Sequence, residues 1–341
     1  MSIERVSQCT GGTSHRYDPV SYSVVFFSSA PIGEPFLTAL VQDSKFTVVG
    51  VVTMPDVPAG RWMHVQENII KKQAKQLVQH KRVTFTDEDI QTPPSLQRSS
   101  KKRHVEAAAF GDRLVQKNPD FLVVIAYGKI IPQDILDIPR IAPINVHGSL
   151  LPKYRGASPL QSVFLHGETE SGITIMKMND KMDEGPMIAK KTVPLAFDRT
   201  VMELIERIKK TGPAFLHATL RAFGKGRLTA EPQNEVLATY CSKIEKEDGL
   251  IDPLHDTLKA VYAKYRAFAL RPKVYFELHG KRIIVEKLLI VERTYEDNAS
   301  SSLLFCEGDT WFLNPAVAEL TIKPEGKKAM SREEYVRGRK K

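Results

Sequence analysis

The sequence has little cysteine, no long apolar run and fewer acids than bases. Its three cysteines, Cys9, Cys241 and Cys306, are odd in number, far apart and without C-x-x-C spacing, so neither a disulfide framework nor a zinc site is expected. A reducing compartment follows. No stretch approaches the roughly 20 apolar residues that cross a bilayer. Residues 1–22 mix Glu4, Arg5, Arg16 and Asp18 without the apolar core of a secretory signal. The expectation is therefore a cytoplasmic chain with no membrane partner. None of the nine histidines falls in an H-E-x-x-H pattern, so no metal is expected, and no G-x-G-x-x-G follows the first apolar run, which excludes a nicotinamide dehydrogenase.

What is present is an ordinary globular composition, 42% hydrophobic and 26% charged over 341 residues, enough for about two domains. The 49 Lys and Arg against 40 Asp and Glu leave a net charge of +9. A face that binds a polyanion and a merely solvated lysine-rich surface both fit that excess. Basic residues gather at Arg98, Lys101, Lys102 and Arg103, and again from Lys327 to Lys341.

Apolar β-rich runs alternate with helical patterns through the first two thirds, which predicts an α/β domain with a Rossmann-like open, mostly parallel sheet. Strands are expected at Tyr22–Phe27, Phe46–Thr53, Val83–Phe85, Phe121–Ala126, Ile144–His147 and Gly172–Met178, and helices at Pro35–Gln42, Asn68–His80, Val105–Lys117, Pro159–His166 and Val201–Phe223. The Gly-, Lys- and Pro-rich stretch that follows reads as a linker. Beyond it a helix near Leu254–Phe268 and short apolar runs at Val274–Leu278, Arg282–Val291, Leu303–Phe305, Thr310–Leu313 and Ala318–Ile322 predict a small β-barrel of OB type. Thr294–Ser302 reads as a mobile loop. The expected division is an extension over 1–21, a catalytic domain over 22–223, a linker over 224–238, a barrel domain over 239–325 and a basic tail over 326–341.

Chemistry-bearing residues concentrate between Asn145 and Asp183. Asn145 and His147 lie two apart at the end of an apolar run, so on a strand they face the same side, and the carboxyl ends of such strands open onto the ligand crevice of an open α/β sheet. Asn-x-His alone says little, because a single histidine is more often structural, and an aspartate such as Asp183 in a loop is more often a turn-former.

The whole string is far more specific. Asn145-Val146-His147-Gly148-Ser149-Leu150-Leu151-Pro152, then Arg155-Gly156, then Met182-Asp183-Glu184-Gly185 resembles the signature of the folate-dependent formyltransferases. Within that superfamily, Pro55-Asp56 with Pro58-Ala59-Gly60-Arg61, Val123 through Gly128, Gly172 through Met176, Thr239-Tyr240, Lys243-Ile244, Gly249 through Asp252, Arg266-Ala267-Phe268 and Gly326 through Ser331 are similar to the branch that acts on methionyl-tRNA. The resemblance runs from about Tyr22 to Arg339.

That resemblance implies transfer of the formyl group of 10-formyltetrahydrofolate to the amino group of initiator methionyl-tRNA, by a monomer without a metal. Attack of a neutral amine on the formyl carbon puts negative charge on oxygen and positive charge on nitrogen, so a donor and a proton acceptor are needed. The α-amino group itself, with a pKa near ~7.7, needs little activation. By resemblance Asn145 and His147 supply the donors and Asp183 orients His147 and relays the proton. Tyr127, Gly128, Lys129, Ile130 and Ile131, with Ser149, Leu150, Leu151 and Pro152, shape the folate pocket, although several of these apolar residues also suit ordinary core. Arg61 and Arg155 are the implied contacts to tRNA.

The chain departs from the family pattern at two loops. Trp62, Met63, His64 and Val65 follow Arg61 where lysines are expected, and Ser28-Ser29-Ala30-Pro31 replaces a Gly-Thr-Pro turn. Three other readings share some of these features: a formyltransferase for another amine, such as an amino sugar nucleotide or glycinamide ribonucleotide; a hydrolase of formyl-folate; and an RNA-binding protein built on a decayed formyltransferase core. The continued resemblance to Arg339 speaks against the first two, and the intact trio against the third.

Overall fold

The computed structural model describes residues 21–59, 64–81, 83–97, 104–278, 280–307 and 310–337. The described residues form two compact units that interleave along the chain. The first comprises the residues up to Arg155, Gly172–Thr192 and Glu206–Tyr240; the second comprises Gly156–Ser171, Val193–Ile205 and the residues from Cys241 onward.

In chain order the elements begin β1 (Tyr22–Ser28), α1 (Glu34–Gln42), β2 (Phe46–Val52), β3 (Val57–Ala59), β4 (His64–Gln66), α2 (Ile69–Gln79), β5 (Ile90–Gln91), α3 (His104–Lys117), β6 (Phe121–Ile125), α4 (Gln133–Leu136) and β7 (Ala142–His147). They continue with β8 (Arg155–Gly156), α5 (Pro159–Leu165), β9 (Glu170–Lys177), β10 (Met187–Pro194) and α6 (Val201–Gly224). Seven strands make one sheet in the order β10-β9-β7-β6-β1-β2-β5. β1 is parallel to β2 and β6, β6 to β7 and β2 to β5, whereas β7 and β9 are antiparallel. The expected mostly parallel, Rossmann-like sheet is therefore observed.

β1 is buried at every position but Ser23, because a central parallel strand is covered on both faces, and Phe26, Phe27, Phe36 and Phe121 are fully buried. Each such ring contributes roughly 1.5–3 kcal/mol of burial. Since β2 and β6 flank β1 on opposite sides, the chain reverses direction of travel across the sheet there, and the strand ends at Ser28, Ile125 and His147 bound the crevice such a switch creates.

Three local expectations fail for visible reasons. Val83–Phe85 is not a strand: Thr84 meets β2 through its side chain, Oγ1 donating to the Val48 carbonyl at 3.4 Å, and Thr86 and Asp89 form a capping box that turns the chain before β5 pairs Ile90 with Val51. β10 was not expected, as Lys190, Lys191 and Thr192 dilute its apolar pattern. Residues 224–238, expected as a linker, lie in the first unit, where Met187 and Glu231 exchange both backbone hydrogen bonds at 2.7 and 2.8 Å.

The remaining elements are β11 (Tyr240–Cys241), α7 (Leu258–Ala267), β12 (Tyr275–Leu278), β13 (Lys281–Ile290), α8 (Glu292–Asn298), β14 (Leu304–Glu307), β15 (Thr310–Leu313), β16 (Val317–Pro324), β17 (Met330–Ser331) and α9 (Arg332–Arg337). Within the second unit, β12-β13-β16-β17 form an antiparallel sheet and β14-β15 a hairpin, the small barrel-like domain expected. α8 corrects the expected mobile loop at Thr294–Ser302: Asn298 and Asn314 side chains bond surrounding carbonyls and hold the segment. α9 likewise orders part of the basic tail, with Glu334 accepting from the Ser331 backbone N–H at 2.8 Å.

Candidate active site

Asn145 and His147 occupy the last turn of the β7 ladder, paired with Met176 and Thr174 of β9, and their side chains share one face as the strand period requires. Asp183 comes from the β9–β10 loop. One carboxylate oxygen serves both neighbours: Asn145 Nδ2 donates to Asp183 Oδ1 at 3.2 Å, and His147 Nδ1 lies 3.5 Å from that same oxygen. The structure thus brings together the three residues singled out in the sequence.

The imidazole is oriented from its far side. His147 Nε2 is 2.8 Å from the carbonyl of Tyr154, and a carbonyl can only accept, so Nε2 carries a hydrogen and Nδ1 is the nitrogen turned toward Asp183 and the crevice. His147 is buried and Asp183 largely so. In such surroundings an amide N–H, an imidazole nitrogen and a carboxylate oxygen can stabilise charge on a carbonyl oxygen and accept a proton nearby.

The Asp183 loop is held under strain. Asp183 has φ of 57°, a left-handed conformation that costs of order 1–3 kcal/mol for a non-glycine residue. Two residues on, a Cβ at Gly185 would lie 1.9 Å from the Lys177 carbonyl oxygen, so only glycine lets the loop press against β9. Gln233 clamps it, its Nε2 donating to the carbonyls of Asp183 at 2.6 Å and Gly185 at 2.8 Å. The other end of the Gln233 amide accepts from Arg155 Nε at 3.0 Å.

Arg155 was expected at the tRNA surface, and the structure corrects this. Its side chain is fully buried, forked onto Glu235 at 2.8 and 2.7 Å and bonded to Tyr240 Oη at 3.0 Å, so its donors are committed inside the protein. Glu235 raises the Arg155 pKa further above the ordinary guanidinium value, and Arg155 in turn holds Glu235 below the usual carboxylate range. Arg61, the other expected tRNA contact, lies outside the described residues.

The expected folate residues divide. Tyr127 packs edge-on against Phe27 at 5.4 Å and, with Ile131, joins the core beneath the sheet; burial pushes its phenol up, and its hydroxyl has no hydrogen-bond partner among the described residues. Lys129 Nζ is spent on the carbonyls of Pro93 and Pro94 at 2.9 and 3.0 Å. That leaves exposed Ile130 and the backbone of Gly128, whose φ is 85° and beside which a Cβ would meet nothing within 4 Å. Ser149 and Leu151 are fully buried and Pro152 is buried, while Leu150 is half-buried. Leu151 forms a small apolar cluster with Met176 and Met187.

Sequence reasoning missed the groups that brace this loop. Thr174 Oγ1 donates to the Ser149 carbonyl at 2.7 Å and accepts from the Leu151 N–H at 3.0 Å, and Thr239 Oγ1 accepts from the Tyr154 N–H at 2.8 Å. Thr174 sits in a strand pattern that already accounts for it, and Gln233 sits in a stretch that reads as a linker. No local signal marked either. Among the described residues, no cluster of three or more His, Cys, Asp or Glu is placed to hold a metal, and no helix is long and apolar enough to cross a membrane.

Comparison with known proteins agrees across both units. The chain is 28% identical over 320 residues to a methionyl-tRNA formyltransferase of Pseudoalteromonas translucida, covering 93% of this chain and 94% of that one. It is 38% identical to one from Legionella pneumophila over 253 residues, 74% of each chain. Among solved structures, HypX from Aquifex aeolicus in complex with tetrahydrofolic acid superposes with a TM-score of 0.54 at 14% identity, over 92% of this chain and 46% of that one, so this chain spans about half the length of HypX. Residues 22–220 match the family described as formyl transferase and residues 243–340 its C-terminal domain, and with most of its length accounted for in this way the chain belongs to the formyl transferase family.

Proposed function

We propose that this chain transfers the formyl group of 10-formyltetrahydrofolate to the free amino group of initiator methionyl-tRNA, acting as a cytoplasmic monomer in translation initiation. The observation that carries the reading is the single carboxylate oxygen of Asp183 set between Asn145 Nδ2 and His147 Nδ1 at a strand tip, in a chain of this family. The curated relatives named above, matched over most of the chain, support the choice of methionyl-tRNA over another amine. The net charge of +9 suits a polyanionic substrate.

Asn145 and His147 act as donors toward the formyl oxygen as charge develops there, the ring of His147 carrying a hydrogen on Nδ1, the nitrogen aimed at the reacting centre, as well as on Nε2 in its protonated form. Asp183 holds both donors and takes the proton released by the attacking amine, directly or through water; the bond from the formyl carbon to N10 of the folate then breaks and the proton passes to N10 as tetrahydrofolate leaves. The carbonyl of Tyr154 keeps the ring from turning over. The folate is held by the backbone around Gly128, by Ile130 and by the Ser149–Pro152 loop, whose apolar floor of Leu151, Met176 and Met187 suits a flat heterocycle and excludes water from the charge that forms. Arg61 meets the acceptor end of the tRNA, and the C-terminal domain over residues 239–325 binds the tRNA body.

The test is formation of formyl-methionyl-tRNA by the purified chain from formyl-folate and charged initiator tRNA, with elongator tRNA as the comparison. Asn145→Ala and His147→Ala each lower kcat about 100-fold or more, the loss expected of an oxyanion donor, with far-UV circular dichroism unchanged. Near-normal turnover in either variant refutes the assignment, and absence of product with the intact chain refutes the function.

A further inference from the structure

We infer that Gln233 is a positioning residue for the transfer reaction, setting Asp183 through a relay that starts at the buried charge of Arg155; this rests on the role proposed above for Asp183. The argument is geometric. Asp183 sits at φ 57°, a left-handed conformation that aspartate adopts at a modest cost, and the loop's backbone carbonyls at 183 and 185 converge on one amide nitrogen. An amide nitrogen with two hydrogens satisfies both carbonyls only if its oxygen points the opposite way. Arg155 fixes that choice, because Nε donates to Gln233 Oε1 and a guanidinium cannot accept.

Arg155 is in turn fixed by its bidentate pair with Glu235 and by the Tyr240 hydroxyl. Tyr240 also bonds Glu184, the residue next to Asp183, at 3.2 Å. The Asp183 loop is thus gripped at the carbonyls of 183 and 185 and at the side chain of 184, all from the segment 233–240. Gln233 is 8% exposed, so no bulk water replaces its donors when they are removed. An oxygen shared at 3.2 and 3.5 Å between two donors has little tolerance, and a misplacement of about 1 Å in such a centre costs up to about 100-fold.

The test uses the full chain with Gln233→Glu, which keeps the acceptor for Arg155 and loses both donors to the loop, and Gln233→Met, which keeps the length and loses everything. Both lower kcat about 10- to 100-fold with KM for formyl-folate and for tRNA within about threefold of the parent. In an Asp183→Asn background, Gln233→Glu lowers kcat by less than about twofold further, because the two residues act as one unit. Amide hydrogen exchange over residues 181–186 rises at least about tenfold in both variants, and this reading is taken whether or not the chain formylates tRNA. Parent-like exchange in that loop overturns the inference. So does parent-like kcat in Gln233→Glu, or a full additional loss in the Asp183→Asn background. Absence of formyl transfer by the parent chain refutes the proposed function separately, and the positioning is then decided by exchange alone.

Discussion

Among the described residues each unit buries one arginine, and the two are neutralised in opposite ways. Arg155 of the first unit is fully buried against a carboxylate, Glu235, and its pKa is raised. Arg266 of the second unit, on α7, is 9% exposed and has no carboxylate within ion-pair distance among the described residues. It donates instead to the carbonyls of Arg199 at 2.7 Å and Ala196 at 2.9 Å, and its guanidinium lies over the rings of Phe164 and Tyr262 at 4.9 and 5.8 Å. Burial lowers its pKa. Carbonyl dipoles and ring faces are enough to keep a charge inside a domain when its task is packing. Where the task is to orient a neighbour, a second full charge with fork geometry fixes the angle as well as the energy.

Exchanging each arginine for a methionine breaks or sharpens this contrast. Arg155→Met removes the Gln233 anchor and lowers kcat about tenfold; Glu235, 65% exposed, is rehydrated, while the buried Gln233 Oε1 left without its donor costs about 1–3 kcal/mol of stability. A kcat equal to that of the parent ends the contrast. Arg266→Met leaves kcat unchanged and costs about 1–3 kcal/mol, since the carbonyls of Ala196 and Arg199 lose a charged donor and the rings of Phe164 and Tyr262 lose their cation, which appears as a melting temperature lower by several degrees. A fall in kcat without a fall in melting temperature reverses the assignment.

The smallest effect concerns His217 on α6, a largely covered histidine of the first unit away from the candidate site. Its Nδ1 is 3.1 Å from Asp43 and its ring lies 5.0 Å from that of Phe46. Burial lowers its pKa, with Asp43 opposing and Arg221 adding to the shift. A histidine whose folded pKa is depressed contributes stability that is present above its unfolded value of about 6.5 and is lost as the pH falls through the lower, folded value. His217→Gln therefore flattens the fall of melting temperature as the pH drops below about 6.5, while an unchanged slope assigns that acid sensitivity elsewhere.

The sheet was legible in the sequence because its central strands are buried on both faces and read as unbroken apolar runs, as in Tyr22–Phe27 and Phe121–Ile125. β10 and the β3–β4 hairpin escaped notice for local reasons: Lys190, Lys191 and Thr192 interrupt the apolar pattern of β10, and β3 and β4 are three residues each, too short to show a period. The motif residues Asn145, His147 and Asp183 were identified as chemistry and found together. Arg155 was read correctly as special but placed on the wrong side of the protein surface, since sequence shows a charge and not its exposure. Thr174 and Thr239 lie in strings that carried the resemblance and Gln233 outside them, but none had a legible role, because an uncharged amide or hydroxyl has no pattern until the carbonyls or N–H groups it serves are brought to it.

The interleaving of the two units has a practical consequence. The chain passes between them after Arg155, Ser171, Thr192, Ile205 and Tyr240, so a cut near residue 224 strands the pieces 156–171 and 193–205 without the rest of their own unit. α5 would lose α7, its packing partner, and the cation over Phe164 would vanish with it. The second unit of this chain is therefore not a cassette that can be trimmed away or grafted at one joint, and variation in it is open to single residues and loops more readily than to wholesale exchange.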